Sequence, residues 1–336
     1  MAGAAGLLPD EIRAGLVRAG LCAPDSPARE LDGGVSSDIW LVGDGAEAVC
    51  VKRARARLKV RADWRVPTGR SASEIAWLET VAAILPEAVP PVLVADAEAG
   101  WFAMTYLPAA THPVWKTELA AGRVDPDVAA RVGDALGRIH AATATDPALP
   151  ERFANDALFD ALRLDPYLGA TAAVHPDLAD SINSIRSLTA TTRVALIHGD
   201  VSPKNILVGP AGPVFLDAEC ATWGDPAFDL AFVLNHLLLK TLWVPAATLA
   251  LLASFDALRA AYLVHLDWEP PSSLETRTVA LLPALLLARV DGKSPVEYLE
   301  DRPAAQDLVR RFARARLASS PTDLTTLGND WRGSLP

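Results

Sequence analysis

Apolar positions recur at helical spacing over residues 9–20, where Ile12, Leu16 and Ala19 share one side, which predicts an amphipathic helix. The pattern then switches to alternation. Segments 36–42 (SSDIWLV) and 47–53 (EAVCVKR) read as strands flanking Gly43-Asp44-Gly45, a hairpin-type turn signal. A helical period returns from Ser71 (SASEIAWLETVAAIL) and stops at Pro86. Two extended runs follow, Val89–Ala95 and Trp101–Leu107. After Pro108 the character changes to helices, beginning with an amphipathic one over 126–143 whose apolar side carries Val128, Val132, Leu136 and Ile139. Short strands are predicted at 194–197, 206–208 and 214–217, helices dominate from about 226 to 318, and the last eighteen residues read as a polar tail. A small mixed lobe (1–107) followed by a larger, mainly helical lobe (108–336) is the predicted outline.

Composition narrows the function classes. Of 336 residues, 51% are hydrophobic, enough for a sizeable core. The most apolar run, Leu281–Val290, is interrupted by Pro283 and Arg289 and reads as a buried helix, so no membrane span is expected. The net charge of −10 argues against a nucleic-acid partner, although Lys52–Arg61 is locally basic. The cysteines Cys22, Cys50 and Cys220 form neither a metal-ligand pattern nor a disulfide framework, and a cytoplasmic setting is the expectation. Oligomeric state leaves no mark in the sequence.

Chemistry concentrates in residues 195–230, ALIHGDVSPKNILVGPAGPVFLDAECATWGDPAFDL. Phosphoryl transfer to a hydroxyl needs an acceptor for the hydroxyl proton and metal ions that neutralise phosphate charge. Asp200, at the start of a polar loop, suits the first task. Asn205 and Asp217, an amide oxygen and a carboxylate, are oxygen ligands of the kind Mg²⁺ prefers. Glu219, two residues further on an extended segment, is expected to point the same way and to hold a second metal or its water.

HGDVSPKN together with LDAE resembles the catalytic and metal loops of the aminoglycoside phosphotransferase and choline kinase superfamily, distant relatives of protein kinases. The resemblance implies a protein-kinase-like α+β bilobal fold with a small mixed β-sheet lobe, an ATP and Mg²⁺ cleft, and a small-molecule alcohol acceptor: a sugar, polyol or amino alcohol. It implies that Asp200 is the catalytic carboxylate and that Asn205 and Asp217 bind metal. GDPAFDLA resembles the element whose second Asp, here Asp229, braces the catalytic loop. In the first lobe, Gly33-Gly34-Val35-Ser36-Ser37 is the candidate phosphate loop through its backbone N–H groups, without the GxGxxG of protein kinases. Lys52 matches the lysine that contacts nucleotide phosphates, and Met104 to Leu107, including Tyr106, matches the adenine-binding hinge. Glu74 has two readings: the ion-pair partner of Lys52, or a helix cap in a Ser71-x-x-Glu74 capping box.

VKRARARLKVRADWRVPTGRSASE and DAECATWGDPAFDLAFVLNHLLL are similar to stretches of methylthioribose kinase. That family has HGD-L-H-T-G-S in place of HGDVSPKN, and paired arginines where Arg289 stands alone, so its substrate does not carry over. Other residues have plainer readings. His140 is read as a hydrogen-bonded core residue, His198 as structural within its loop, and Trp115 and Trp223 as packing rather than pocket. Glu297, Glu300 and Asp301 would be the acidic groups needed by the alternative activity, antibiotic inactivation. Retention of the whole set Lys52, Asp200, Asn205 and Asp217 argues against the remaining alternative, a non-catalytic pseudokinase.

Overall fold

The strands β1 (Ala28–Glu30), β2 (Ser37–Val42), β3 (Val49–Ala54), β4 (Val92–Asp96) and β5 (Trp101–Thr105) form an antiparallel sheet in the order β1-β2-β3-β5-β4. Period-two alternation divides it into two faces. Val49, Val51, Trp101 and Ala103 join Ile12 and Leu16 of helix α1 (Asp10–Arg18) in one cluster. Cys50, Phe102 and Met104 face the other way, toward Ile75 and Leu78 of helix α2 (Arg70–Ile84). Lys52 shares the parity of Cys50, and so points toward α2 and the interlobe cleft rather than toward solvent. The computed structural model describes residues 7–31, 37–55, 70–319 and 323–336. Gly34 and Ser36, with Gly33 and Val35, lie outside the described residues.

The second lobe begins with α3 (Trp115–Ala120), α4 (Pro126–Ala144) and the short helices α5 (Leu149–Arg152) and α6 (Asp156–Phe159). α6 runs into a π-helical stretch, Asp160–Gly169. Pro166 inside it has no N–H to close a helical turn, consistent with the widened local geometry. α7 (Ala170–Val174) and α8 (Ala179–Thr191) lead to the strand pair β6 (Ala195–Ile197) and β9 (Thr222–Gly224), which brackets the hairpin β7 (Ile206–Val208) and β8 (Pro213–Phe215). α9 (Pro226–Trp243), α10 (Thr248–Leu263), α11 (Pro271–Asp291), α12 (Pro303–Ala318) and α13 (Leu324–Ser334) complete the chain.

α9 is buried along nearly its whole length. Asp225 caps its N-terminus by accepting from the Ala227 N–H at 3.0 Å, with Pro226 at the first helical position. α4 crosses α10 at Gly133, where an added Cβ would come within 2.1 Å of the Leu258 carbonyl oxygen, so only glycine permits that backbone approach.

Two expectations are corrected. The final residues are not a polar tail: α13 buries Leu324, Leu327 and Trp331, and the Trp331 indole donates to Thr241 Oγ1 at 3.1 Å. The strand predicted at 214–217 ends at Phe215, because Asp217 adopts a left-handed conformation (φ +67°) that turns the chain. By length and mean hydropathy (1.3) Pro245–Leu263 passes for a membrane span, as buried core helices also do; in this fold its part α10 packs on α4 and α9.

Candidate active site

The β6-to-α9 segment builds the site from its backbone outward. After β6, Gly199 takes φ +79°, and a Cβ there would lie 2.9 Å from both Cys220 Cβ and the Cys220 carbonyl. Asp229, in the first turn of α9 and fully buried, accepts from the His198 N–H (2.7 Å) and the Gly199 N–H (2.8 Å). The loop is therefore held by a carboxylate planted in the most buried helix. His140 supports that carboxylate (Nε2 to Asp229 Oδ2, 3.4 Å) and bonds Tyr262 through Nδ1 (2.8 Å), a core role as read from the sequence.

His198 joins two loops. The Asp200 N–H donates to its Nδ1 at 3.1 Å, so the ring proton sits on Nε2, which donates to the Leu216 carbonyl at 3.0 Å. Burial lowers the imidazole's pKa, more than the attraction of Asp229 raises it, and the neutral tautomer follows. The Leu216 N–H donates to the Asn205 carbonyl at 2.9 Å, tying the same junction from the other side. Asp200 and Asp217 are thus fixed relative to one another by main-chain bonds on both sides of His198.

Around these loops the side chains converge on one cleft of about 720 Å³. Asp200, only 3% exposed, meets Arg163 Nη2 at 2.9 Å and Lys204 Nζ at 3.2 Å. Burial alone would raise its pKa, but Lys204 and Arg163 outweigh burial and hold the carboxyl below its usual range. Arg163 comes from the π-helical stretch and also donates to the Gly199 carbonyl at 2.6 Å. Asn205 donates through Nδ2 to the Asp200 carbonyl (3.1 Å), which leaves Oδ1 as a free oxygen ligand. Lys52 contacts Glu74 at 2.7 Å and also pairs with Asp217.

Two carboxylates therefore share one ammonium. Burial alone would lower the Lys52 pKa, but Asp217, Glu74 and Glu219 together raise it. Glu74 is pushed up to about 7 by burial, which outweighs Lys52. Burial also opposes ionisation of Asp217, but Lys52 and Lys204 overcome it and hold that carboxyl well below the usual range. Asp217 is the more open of the two acids, with a side chain 25% exposed against 3% for Glu74.

Glu74, on α2, accepts from Lys52 of β3, while Ser71 Oγ donates to the Gly100 carbonyl at 3.3 Å. Ser37 opens β2 as a buried residue on the cleft wall, and Met104 and Tyr106 line the cleft at the end of β5. Glu219 lies in the wall too, but in a turn rather than an extended segment, and its carboxylate pairs with Arg70 Nε at 2.9 Å. Trp115 and Trp223 are buried outside the cleft lining. Glu297 lines it and pairs with Lys116, whereas Glu300 and Asp301 are exposed elsewhere.

Sequence reasoning missed Arg163, Lys204, Lys240 and His236 as cleft residues. Lys204 stood in the quoted loop. Lys240 and His236 had a usable signal as polar residues inside the otherwise apolar run PAFDLAFVLNHLLLKTLW. Arg163 had none, because its segment showed no period.

The family model described as "Phosphotransferase enzyme family" matches residues 27–272. The chain is 25% identical to methylthioribose kinase from Pectobacterium atrosepticum over 65% of its own length and 61% of the relative's, so it spans less than two thirds of that protein. A choline/ethanolamine kinase family protein from Mesorhizobium loti superposes with a TM-score of 0.57 at 20% identity, covering 96% of this chain and 99% of the other. Ethanolamine kinase from Plasmodium vivax gives 0.55 at 12% identity, with 87% and 83% covered. Both show the same kinase-like, bilobal α+β fold. With most of its length matched by the family model, the chain belongs to the phosphotransferase enzyme family.

Proposed function

We propose that this protein transfers the γ-phosphate of ATP to a hydroxyl of a small sugar or polyol, in the cytoplasm, with residues 1–107 as the nucleotide lobe and 108–336 as the catalytic and acceptor lobe. The observation that carries the reading is the convergence of Asp200, Asn205, Asp217 and Lys52 on one cleft. The acceptor hydroxyl binds at Asp200, whose ionised carboxylate orients the oxygen and takes its proton as the new P–O bond forms. Because Arg163 and Lys204 keep its pKa low, Asp200 acts chiefly by orientation and accepts the proton late. Asn205 Oδ1 and the Asp217 carboxylate are hard oxygen donors of the type that holds Mg²⁺, which when bound supplies neutralisation of phosphate charge. Lys52, held by Glu74, presents a fixed cation to the phosphates. Met104 and Tyr106 flank the adenine, and Gly34, Ser36 and Ser37 cover the phosphates. Glu219 supports the metal side from its pairing with Arg70.

The kinship with methylthioribose kinases supports a sugar-like acceptor. Antibiotic inactivation is the weaker reading: a polycationic drug would need a run of free acids, whereas Glu297 is already paired with Lys116. ADP release measured across sugars, polyols, amino alcohols and aminoglycosides tests the proposal. It predicts acceptor-dependent ADP formation that requires a divalent cation; ATP binding with no acceptor-dependent turnover would overturn it.

A further inference from the structure

The cations lining the cleft are not all neutralised. Lys52 has Glu74 and Asp217, Arg163 and Lys204 share Asp200, and Lys116 has Glu297. Among the described residues Lys240 and Arg289 have no carboxylate at ion-pair distance; Glu297, itself paired with Lys116, attracts both only from further off. Lys240 is 1% exposed and lies on α9 in register with Phe232 and His236, four residues apart on the cleft side. Its Nζ sits 4.6 Å from the Trp243 ring centroid and 4.7 Å from that of Tyr298, two rings that stack at 4.5 Å. Arg289 donates to Tyr167 Oη and Ser294 Oγ, each at 3.0 Å.

Unsatisfied polar atoms cluster at the same wall. Arg289 Nε, His236 Nε2 and Tyr298 Oη are buried without a hydrogen-bond partner. A buried ammonium with no anion is costly, and a cation–π contact offsets only part of that cost. This wall is joined to the reacting end by side chains: Arg163 contacts Asp200, and Tyr167, four residues further along the π-helical stretch, holds Arg289.

We propose that the phosphoryl acceptor carries an oxyanion group, a carboxylate or a phosphate, held by Lys240 and Arg289 while its hydroxyl reaches Asp200. This rests on the phosphoryl-transfer reading of the cleft and narrows its substrate class to a hydroxy acid or a sugar phosphate, away from amino alcohols and aminoglycosides.

Calorimetric binding of charge-matched probes tests it without relying on turnover. One set is glucose, gluconate, glucose 6-phosphate and glucosamine; a smaller set is glycerol, glycerate, glycerol phosphate and ethanolamine. The acid of a set binds tighter than its neutral and amine members, and Lys240→Met weakens the acid by about 10- to 100-fold while leaving the neutral member unchanged. The carboxylate and phosphate members decide between the two oxyanions. Lys240→Met keeps the side-chain length and removes the charge, and its ligand-free melting temperature is expected not to fall. Arg289→Lys, which retains a cation, keeps more acid affinity than Arg289→Met. Equal binding of neutral or amine members, no binding of any acid, or an acid affinity indifferent to Lys240→Met overturns the inference. ADP release with the same probes separates the two readings. Charge-selective binding without ADP release leaves the oxyanion subsite at Lys240 and Arg289 standing and removes the phosphoryl-transfer reading on which its assignment to an acceptor rests. Turnover of neutral or amine acceptors without acid preference does the reverse.

Discussion

At the scale of single residues, the site depends on charges placed where water cannot screen them. Burial, opposed only weakly by Glu297 and reinforced by Lys116 and Arg289, lowers the Lys240 pKa from 10.5 to about 7. His236 also faces Lys240 from the same helix. Its own pKa is pushed well down by burial and by these cations, so it stays neutral in this range. Between about 7 and 10.5 the unfolded chain then holds a proton on this lysine that the folded chain lacks, so the lysine contributes stability that increases as pH rises through that window. Urea denaturation of the ligand-free protein should show this rise, and Lys240→Met should flatten it. Asp229 gives a second prediction. Its two oxygens accept from the main chain of His198 and Gly199, so Asp229→Ala strands two buried N–H donors. The expected loss of stability is about 2–5 kcal/mol. Asp229→Asn retains the shape but turns one acceptor into a donor; it should lower kcat more than it raises the KM for ATP, because the loop rather than the nucleotide cleft is disturbed.

At the scale of elements, α9 does two jobs. Its first turn braces the His198–Asp200 loop through Asp229, and its later turns present Phe232, His236 and Lys240 to the cleft. α13 then locks the far end of α9 through Trp331 and Thr241. Trp331→Ala should cost about 3–5 kcal/mol in chemical denaturation, a figure incompatible with a solvated tail. The legibility of these elements in the sequence followed their periods. Residues 126–143 and the β2–β3 hairpin were readable because their apolar positions repeat cleanly. α13 (LTTLGNDWRGS) was not, because three apolar anchors among polar and glycine residues look like solvated chain until a partner surface is present. The π-helical stretch has no repeat of its own, and Arg163, which reaches Asp200 from it, was therefore invisible. The turn at Asp217 was misread as strand because a left-handed non-glycine residue is set by tertiary bonds, here those around Leu216, rather than by local preference.

For the whole molecule, the cleft is assembled from both lobes: Lys52, Glu74 and Met104 come from the sheet and α2, and Asp200, Asn205 and Asp217 from the loops after β6 and β8. The Lys52–Asp217 ion pair crosses between them, so a ligand that binds both sides stabilises the folded chain by mass action. The loop residues could be placed from sequence because their spacing is short and chemically specific. The cleft wall of Lys240, Arg289 and Tyr298 could not, since these residues are brought together only by packing of α9 against α11 and the turn beyond it. The central claim is that Asp200 orients an acceptor hydroxyl for phosphoryl transfer. Its most direct test is acceptor-dependent ADP release by the wild-type protein and Asp200→Asn, with ATP affinity measured in parallel. The account predicts a loss of about 10²- to 10⁴-fold in turnover with ATP affinity unchanged. Turnover that survives the substitution would contradict it.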